Sequence, residues 1–250
     1  MTLVIDQPNY IPWKGYFDLI HDCDLFVFYT DVQYTTRDWR NRNKILTPNG
    51  EKWLTVPVGS DIHRLICDVN IPSPEWQKKH YETLKFAYSK TPHFKDYKEF
   101  LEYVYLEKKW ENLCELDLYM TEHISRDFLG CKTEFADSRD FETHGVKHER
   151  ILTLAENIFA EYAEKAGQEK VYLSGPAAKD YIISNDYASA GITLAWKDYD
   201  GYPEYPQCSG MPFTHYVSVF DLLFNTGTEA SYYIWGWRGQ AEKKPFYIDK

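Results

Sequence analysis

The sequence predicts an α/β protein with a mainly parallel central sheet flanked by helices and with an inserted helical subdomain. Short apolar runs alternate with amphipathic stretches of helical length, which is the pattern of βαβ units. The first two runs each end in a cluster of polar residues, and ligands collect at such strand ends in parallel sheets. Residues 72–130 carry only helical periodicity. We therefore expect one domain over residues 1–250, with the helical subdomain at 72–130.

The first part of the chain carries strand and hairpin signals. Pro8 and Pro12 stiffen the segment after the first apolar run, because each proline fixes φ and lacks an N–H. Pro48-Asn49-Gly50 is a turn signal between two further runs, and alternation in the second of these places Trp53 and Leu54 on opposite faces. The elements predicted here are a strand at 2–6, a helix at 14–22, a strand at 25–29, and a hairpin of strands 43–47 and 52–58.

The rest of the chain alternates helices with further strands. Ser73-Pro74 supplies an N-cap and a first helical position, and Gly130 and Gly167 are typical helix ends. The elements predicted here are a helix that begins near 73, helices at 93–107 and 110–129, a strand at 133–136, a helix at 144–166, a strand at 171–173, a helix that follows Ser174-Gly175-Pro176 and runs through Ile183, a strand at 192–196, a loop at 199–210, and a helix at 218–225.

Composition and charge narrow the classes of function. The net charge of −10 argues against broad nucleic-acid binding and against binding to an anionic membrane surface. No apolar run approaches the roughly 20 residues of a membrane span, and no signal-peptide pattern begins the sequence. The five cysteines are scattered, and no spacing of His, Cys and carboxylates is typical of a zinc site. We expect a cytoplasmic protein without membrane insertion, a nucleic-acid partner or a metal site.

Aromatic residues make up 17% of the chain, including 21 Tyr and 8 Trp. Such a content is typical either of an aromatic-rich core or of a cleft walled by rings with polar tips. Sugar and nucleobase sites are often clefts of the second kind. The loop at 199–210, which is rich in Pro, Gly and Tyr, is placed to close over a ligand if it lies near such a cleft.

Two polar clusters near the predicted strand ends are candidate binding residues. The neighbouring prolines would hold the amides of Gln7 and Asn9 in place, as a binding site requires, although a rigid turn with surface amides explains them equally well. The second cluster is basic and consists of Arg37, Arg40, Arg42 and Lys44. A positive patch on an acidic protein favours a small anionic ligand, and a solvated loop is the alternative.

Two features of the second half also suggest a site. Ser174-Gly175-Pro176 stands between a predicted strand and a predicted helix, where backbone N–H groups could face an anion or an oxyanion; a tight turn is the alternative. Asp221 lies within an apolar helical stretch, so it needs a partner if it is buried. An arginine from the 37–42 cluster is a candidate partner.

A family resemblance covers nearly the whole chain. The run Gln7-Pro8-Asn9-Tyr10-Ile11-Pro12-Trp13-Lys14-Gly15-Tyr16-Phe17 is similar to the opening signature of the WbqC-like proteins. Further matches, in the family's order, are Asp24, Asp31–Gln33, Trp39–Ile45, Trp53–Val58, Tyr172–Pro176, Tyr181, Gly191-Ile192, Tyr205–Gln207, Ser218 and Asp221–Gly227. Two positions depart from the pattern: Asp6, where many members are expected to have histidine or methionine, and Cys208.

The resemblance implies an aminoacyl or acyl transferase. Members are similar to proteins of bacterial O-antigen (lipopolysaccharide) clusters, and some are associated with adding glycine or another acyl group to the amine of a 4-amino-4,6-dideoxy sugar. The expected acceptor is a nucleotide-linked amino sugar. The expected donor is a phosphopantetheine thioester on an acyl or peptidyl carrier protein, with no tightly bound cofactor.

Such a transferase needs a base, oxyanion donors and binding groups. Asp6 and Asp31, each close to a strand end, are the candidate bases, and Ser174 is a candidate oxyanion donor. Chemistry and family matches together give these candidate substrate-binding residues: Gln7, Asn9, Tyr10, Trp13, Gln33, Trp39, Arg40, Asn41, Arg42, Lys44, Gly175, Tyr205, Gln207 and Asp221. Cys208 is a candidate nucleophile, although no cysteine has a recognisable activating context.

Two other classes of function remain open from the sequence. A non-catalytic subunit of a polysaccharide assembly system would bind the sugar nucleotide or the carrier protein without turnover. A metal-dependent hydrolase would use Asp24, Asp31 and His21, although these residues form no clustered ligand motif.

Overall fold

A six-stranded sheet forms the centre of the described chain, with strands in the order β5-β2-β1-β6-β7-β8. The structure is a computed structural model that describes residues 1–207 and 210–249, and only the backbone of 164–166. Cys208, the candidate nucleophile, lies outside the described residues. The strands are β1 (Thr2–Asp6), β2 (Leu25–Phe28), β3 (Arg42–Thr47), β4 (Gly50–Thr55), β5 (Glu134–Asp137), β6 (Val171–Ser174), β7 (Thr193–Lys197) and β8 (Phe246–Ile248).

The sheet is mainly parallel, which confirms the predicted fold class. β1 pairs in parallel with β2 and β6, β2 with β5, and β6 with β7, whereas β8 is antiparallel to β7. The α-helices are α1 (Lys14–His21), α2 (Glu75–Tyr88), α3 (Lys98–Glu102), α4 (Leu113–His123), α5 (His148–Ala166), α6 (Ser184–Ser189), α7 (Val219–Thr226) and α8 (Ala230–Ile234). No helix in the described part of the chain is long and apolar enough to cross a bilayer.

The long connection between β2 and β5 carries the hairpin β3–β4 and helices α2, α3 and α4. These elements share one hydrophobic cluster with α1 and α7, while α5 and α6 pack in a second cluster with other sheet residues. The helical segments predicted at 93–107 and 110–129 are both present but end in π-helical turns, at Tyr103–Glu107 and Ile124–Phe128. The hairpin alternates as predicted, with Trp53 exposed and Leu54 buried.

One predicted helix is wrong. The chain after β6 forms a short 3₁₀ turn, Pro176–Asp180, and not a helix through Ile183. Ile183 takes extended dihedrals (φ −102°, ψ 101°) before α6 begins at Ser184. Ile182 and Ile183 are β-branched neighbours, and β-branched side chains have low helix propensity. The turn is therefore too short to supply the helix dipole that the sequence suggested for this position.

Four buried charges tie the C-terminal segment to the sheet. The Lys197 Nζ lies 3.1 Å from Asp18 Oδ2, and the Arg238 Nη1 lies 2.9 Å from Asp22 Oδ2. Lys197 also pairs with Asp22, and Arg238 with Asp18. The cluster contains two positive and two negative groups, so each buried charge has an opposite partner, as burial requires.

Candidate functional site

A cleft of about 400 Å³ lies beyond the carboxyl ends of β1 and β6. Ligand sites of parallel sheets lie at this edge, and the volume is in the range of small-molecule sites. The cleft is lined by Asp6, Asn9, Pro12, Trp13, Tyr16, Trp39, Arg40, Asn43, Gly175, Pro176, Ala177, Tyr199 and Tyr216. The cleft thus lies at the edge of the sheet where the sequence predicts a site.

The proline-rich segment after β1 is held in a strained conformation by long-range hydrogen bonds. Ile11 has φ +39°, which a β-branched residue rarely adopts. The Asn43 side chain donates to the Ile11 carbonyl at 3.0 Å, and the Tyr10 N–H donates to the Trp39 carbonyl at 3.0 Å. These contacts fix Asn9 and Trp13 against the hairpin. Strain that the surroundings maintain in this way is common at functional sites.

Asp6 is the acidic side chain among the residues that line the cleft. It ends β1, and its Oδ1 accepts a hydrogen bond from the Gln7 N–H at 2.8 Å. Burial raises the pKa of Asp6, while the nearby Arg40 guanidinium and the Gln7 hydrogen bond oppose the rise. A carboxylate with a raised pKa is a stronger base than an ordinary surface aspartate.

Arg40 supplies positive charge to the same cleft. Its Nη1 donates to the Asn9 Oδ1 at 2.8 Å, and its Nη2 lies 3.6 Å from Asp38 Oδ2. The Arg40 Nε is buried and has no hydrogen-bond partner among the described residues. Arg40 is thus positioned by its neighbours and keeps one N–H without a partner among the described residues, and a guanidinium is suited to binding an anionic group such as a phosphate.

Aromatic rings form the walls of the cleft. The Trp13 ring packs 5.3 Å from the Tyr199 ring and stacks with Tyr216 at 6.4 Å, measured between centroids. Gly15 makes room for this arrangement, because a Cβ at Gly15 would lie 2.6 Å from the Cε2 of the Trp13 ring. Flat apolar walls with a few polar groups between them are suited to a sugar or a nucleobase.

Six of the predicted site residues therefore meet in one cleft: Asp6, Asn9, Trp13, Trp39, Arg40 and Gly175. Gln7 lies beside Asp6 but does not line the cleft, and its Oε1 is buried without a partner in the part of the chain that is described.

Asp31, the second candidate base, does not line this cleft. It pairs with Arg150 of α5 and accepts a hydrogen bond from Ser138 Oγ at 2.6 Å. The carboxylate therefore links the chain that follows β2 to α5, and Asp6 is the candidate base that faces the cleft. Ser174 is also outside, because its side chain is buried and hydrogen-bonded to Tyr172.

Three predicted binding residues have structural roles elsewhere. Tyr10 is fully buried, and its hydroxyl lies 2.8 Å from His80 Nδ1 and 2.7 Å from the Tyr105 hydroxyl. Asn41 is buried and donates to the Val56 carbonyl at 2.8 Å. Gln33 is exposed and donates to the Ile62 carbonyl at 3.2 Å, in a different surface groove.

The predicted basic patch is divided between the cleft and the outer face of the hairpin. Arg42 and Lys44 belong to β3, and their side chains lie over the Trp53 ring, 4.4 and 5.4 Å from its centroid, not in the cleft. Arg40 precedes the strand and turns inward. Arg42 and Lys44 are two residues apart in β3 and therefore share one face of the strand. Arg40 lies before the strand begins, so its direction does not follow from the strand's alternation.

A hydrogen-bonded network of Asp221, Tyr205 and Gln207 joins residues 205–207 to α7. Asp221 accepts hydrogen bonds from the Tyr205 hydroxyl at 2.8 Å, from Gln207 Nε2 at 2.7 Å and from the Tyr88 hydroxyl at 3.0 Å. The expected arginine partner of Asp221 is therefore wrong. None of the three lines the cleft.

Some cleft residues were not selected from the sequence. Tyr16 and Asn43 lie inside the family-like motifs, but no role was assigned to them. Tyr199 is the first residue of the loop predicted at 199–210, and Tyr216 comes after that loop; the sequence predicts no individual role for either. Their contact with Trp13 depends on chain folding across nearly 200 residues, which no local pattern encodes.

Lys14 is a further residue with unusual properties. It is 2% exposed, and its Nζ has no hydrogen-bond partner within the described residues. The Nζ lies 4.6 Å from the centre of the Tyr202 ring and 5.4 Å from that of Tyr205. Burial lowers the pKa of Lys14 to about 7, although Asp18 opposes the fall. Lys14 directly follows Trp13 but does not line the cleft.

The residues considered for metal binding have separate partners. His21 bonds to Asp22 at 2.8 Å and stacks on Trp235, Asp24 accepts from the Thr2 N–H at 2.6 Å, and Asp31 pairs with Arg150. Across residues 1–207 and 210–249, no group of three His, Cys, Asp or Glu is placed to hold a metal ion.

A family model and a known relative each match most of the chain. A family model described as WbqC-like protein family matches residues 7–233. The chain is 41% identical over 234 residues to "Uncharacterized protein Rv1507c" of Mycobacterium tuberculosis, covering 93% of this chain and 96% of that relative. No solved structure matches the chain.

Proposed function

Since the chain belongs to the WbqC-like protein family, we propose that it is an N-acyltransferase of bacterial surface-polysaccharide synthesis. It transfers a glycyl or other acyl group from a carrier-protein thioester to the amine of a nucleotide-linked amino sugar. The observation that carries this proposal is the Asp6 carboxyl, with its raised pKa, in an aromatic-walled cleft beside Arg40.

In this reaction the sugar amine attacks the thioester carbonyl, a C–N bond forms, and the C–S bond breaks to release the carrier thiol. The amine nitrogen must lose a proton, and Asp6 accepts it. The same proton then goes to the departing thiolate, so that Asp6 returns to its starting state. Because the thioester is already activated, the chemistry needs no covalent intermediate on the enzyme.

The other cleft residues bind and orient the acceptor. Arg40 faces the phosphate groups of the sugar nucleotide, and its bidentate geometry suits them. The rings of Trp13 and Trp39 pack against the sugar or the base. Holding the amine and the thioester in line removes much of the entropic barrier to their reaction.

The test is mass spectrometry of the protein with a glycyl-loaded carrier protein and dTDP-4-amino-4,6-dideoxyglucose. A product heavier by one glycyl residue, formed only with the protein, is expected. Asp6→Asn should lower the rate by about 10²–10⁴-fold, the usual contribution of a general base. Asp31→Asn should leave the rate per folded molecule nearly unchanged, because Asp31 pairs with Arg150 outside the cleft.

A non-catalytic binding protein is the second candidate. It is favoured by the single carboxylate among the described lining residues, since many acid–base sites use a pair of titratable groups. In that case the sugar nucleotide binds without turnover by any donor, and Asp6→Asn retains binding. If the sugar nucleotide is neither bound nor turned over, that result contradicts both candidates.

A further inference from the structure

The hairpin β3–β4 and the segment before it form a local basic region on an acidic protein. Residues 37–55 contain five basic and two acidic residues, whereas the chain as a whole has a net charge of −10. The two acidic residues pair with basic neighbours, Glu51 with Lys44 at 2.6 Å and Asp38 with Arg40 at 3.6 Å, which leaves a net charge of +3 over residues 37–55. An acidic macromolecule is repelled by most of this protein and attracted here.

The outer face of the hairpin is flat, aromatic and uncovered. Lys44 stands opposite Trp53 in the antiparallel register, and Arg42 stands opposite Thr55. Trp53 is 40% exposed, with Arg42 and Lys44 over its ring. On the opposite face, Asn43, Ile45 and Leu54 are buried, whereas Lys52 at the far end of that face is exposed in the neighbouring groove. Arginine and tryptophan are residues that protein interfaces favour.

This face is continuous with the rim of the cleft. The Trp39 ring packs 5.6 Å from the Trp53 ring, is 46% exposed, and also lines the cleft. On the other side of Trp53 an open groove of about 600 Å³ runs between β4 and α2. Lys52 and Lys79 lie on the two walls of that groove, with Glu75 as its acidic residue.

The size of the cleft indicates what must remain outside it. About 400 Å³ accommodates one small-molecule substrate, not an acceptor together with a protein-borne donor. The donor's protein part therefore rests on the surface while its acyl group enters past the rim, and Trp39 marks the rim on the basic side. We infer that the outer face of the hairpin, with the Lys52–Lys79 groove, is the docking surface for an acidic carrier protein that presents the acyl thioester. This inference rests on the proposed function, of which it identifies the partner surface.

The experiment compares two donors on two charge-reversal variants. The test variant is Lys52→Glu with Lys79→Glu, and the matched control is Lys109→Glu with Lys132→Glu, a pair of exposed lysines outside the hairpin and the groove. One donor is glycyl-phosphopantetheine on an acidic carrier protein, and the other is glycyl-pantetheine thioester without the protein. Rim charges act mainly on association rate and its salt dependence.

We expect the test variant to lose at least about tenfold in kcat/KM with the carrier-borne donor and less than about twofold with the free thioester. The control variant should match the wild type with both donors. Equal losses with both donors would overturn the docking surface, because the variant would then have damaged the cleft. No loss with either donor would overturn it as well.

Direct binding separates this inference from the proposed function. Titration calorimetry with the same holo carrier protein measures docking even if no product forms. If the wild type and the control variant bind the carrier protein and the test variant does not, the docking surface is supported even without turnover. Turnover by the wild type with free thioester, but no binding of the carrier by any variant, would leave the transferase in place and refute the docking surface.

Discussion

Replacing Lys14 with methionine should stabilise the protein, and the gain should depend on pH. The Lys14 amine is buried against the rings of Tyr202 and Tyr205, without a hydrogen-bond partner in the described structure. Methionine has a similar unbranched shape and fills the same space without a charge. The comparison therefore isolates the free-energy cost of placing a titratable amine in this position.

The magnitude follows from the pKa of the amine. It is 10.5 in the unfolded chain and about 7 in the folded protein, because burial disfavours the charged form. Between these values the unfolded chain binds more protons than the folded protein, so folding stability rises with pH across that window. Each pH unit is worth about 1.4 kcal/mol, which makes the full cost about 5 kcal/mol at pH 7 and below. From pH 7 to pH 9 the wild type should regain about 2 kcal/mol relative to Lys14→Met, because the folded amine is already half deprotonated at pH 7.

The assay is denaturant unfolding of wild type and Lys14→Met at several pH values from 6.5 to about 9, with Lys109→Met as an exposed control. The difference in unfolding free energy between Lys14→Met and the wild type should shrink as the pH rises, while the control difference stays flat. A difference that does not vary with pH would refute the reasoning, because Lys14 would then remain in one charge state throughout.

Three further outcomes test the cleft and its support. Gly15→Ala should displace the Trp13 ring, since the added Cβ overlaps it, and should change tryptophan fluorescence and weaken sugar-nucleotide binding while the fold persists. In denaturant unfolding, Asp221→Ala should lower the unfolding free energy by about 3 kcal/mol, because the three donors that bond to it lose their buried acceptor. Asp221→Asn should lower the unfolding free energy by less in the same measurement, because it keeps one acceptor oxygen. The transferase rate should fall on acidification through a pKa above that of an ordinary aspartate, because burial raises the pKa of Asp6 and protonation removes the base; a flat profile in Asp6→Asn is the control.

Periodicity and turn chemistry were enough to predict the sheet, the hairpin and most helices, because these depend on neighbours within a few residues. The run Leu3-Val4-Ile5 is buried as expected, and the alternation around Trp53 gives the correct outer face. The helix predicted through Ile183 was wrong because the β-branched pair Ile182 and Ile183 disfavours a helix only weakly, and the tertiary structure, which buries Ile182 and extends Ile183, decides the outcome.

The candidate site was harder to predict, because polar residues near strand ends can face a cleft or a neighbouring element. Asp6 and Asp31 look equivalent in the sequence, yet Asp6 enters the cleft and Asp31 pairs with Arg150, which lies more than 100 residues away. Asp221 is satisfied by Tyr88 and by two residues of the 199–217 loop, and these partners also have no local signature.

The basicity of Asp6 depends on what is bound at the neighbouring Arg40. It is the acidic group among the described lining residues, and Arg40 lies near enough to oppose the rise in its pKa. A phosphate bound at Arg40 would partly neutralise that arginine, so Arg40 would lower the pKa of Asp6 less. The Asp6 carboxylate would then be a stronger base when the acceptor is present. Binding of the sugar nucleotide and activation of its amine are then coupled through one pair of side chains. Arg40→Gln should therefore shift the pH profile of the rate as well as weaken binding, whereas loss of a simple phosphate contact would change binding alone.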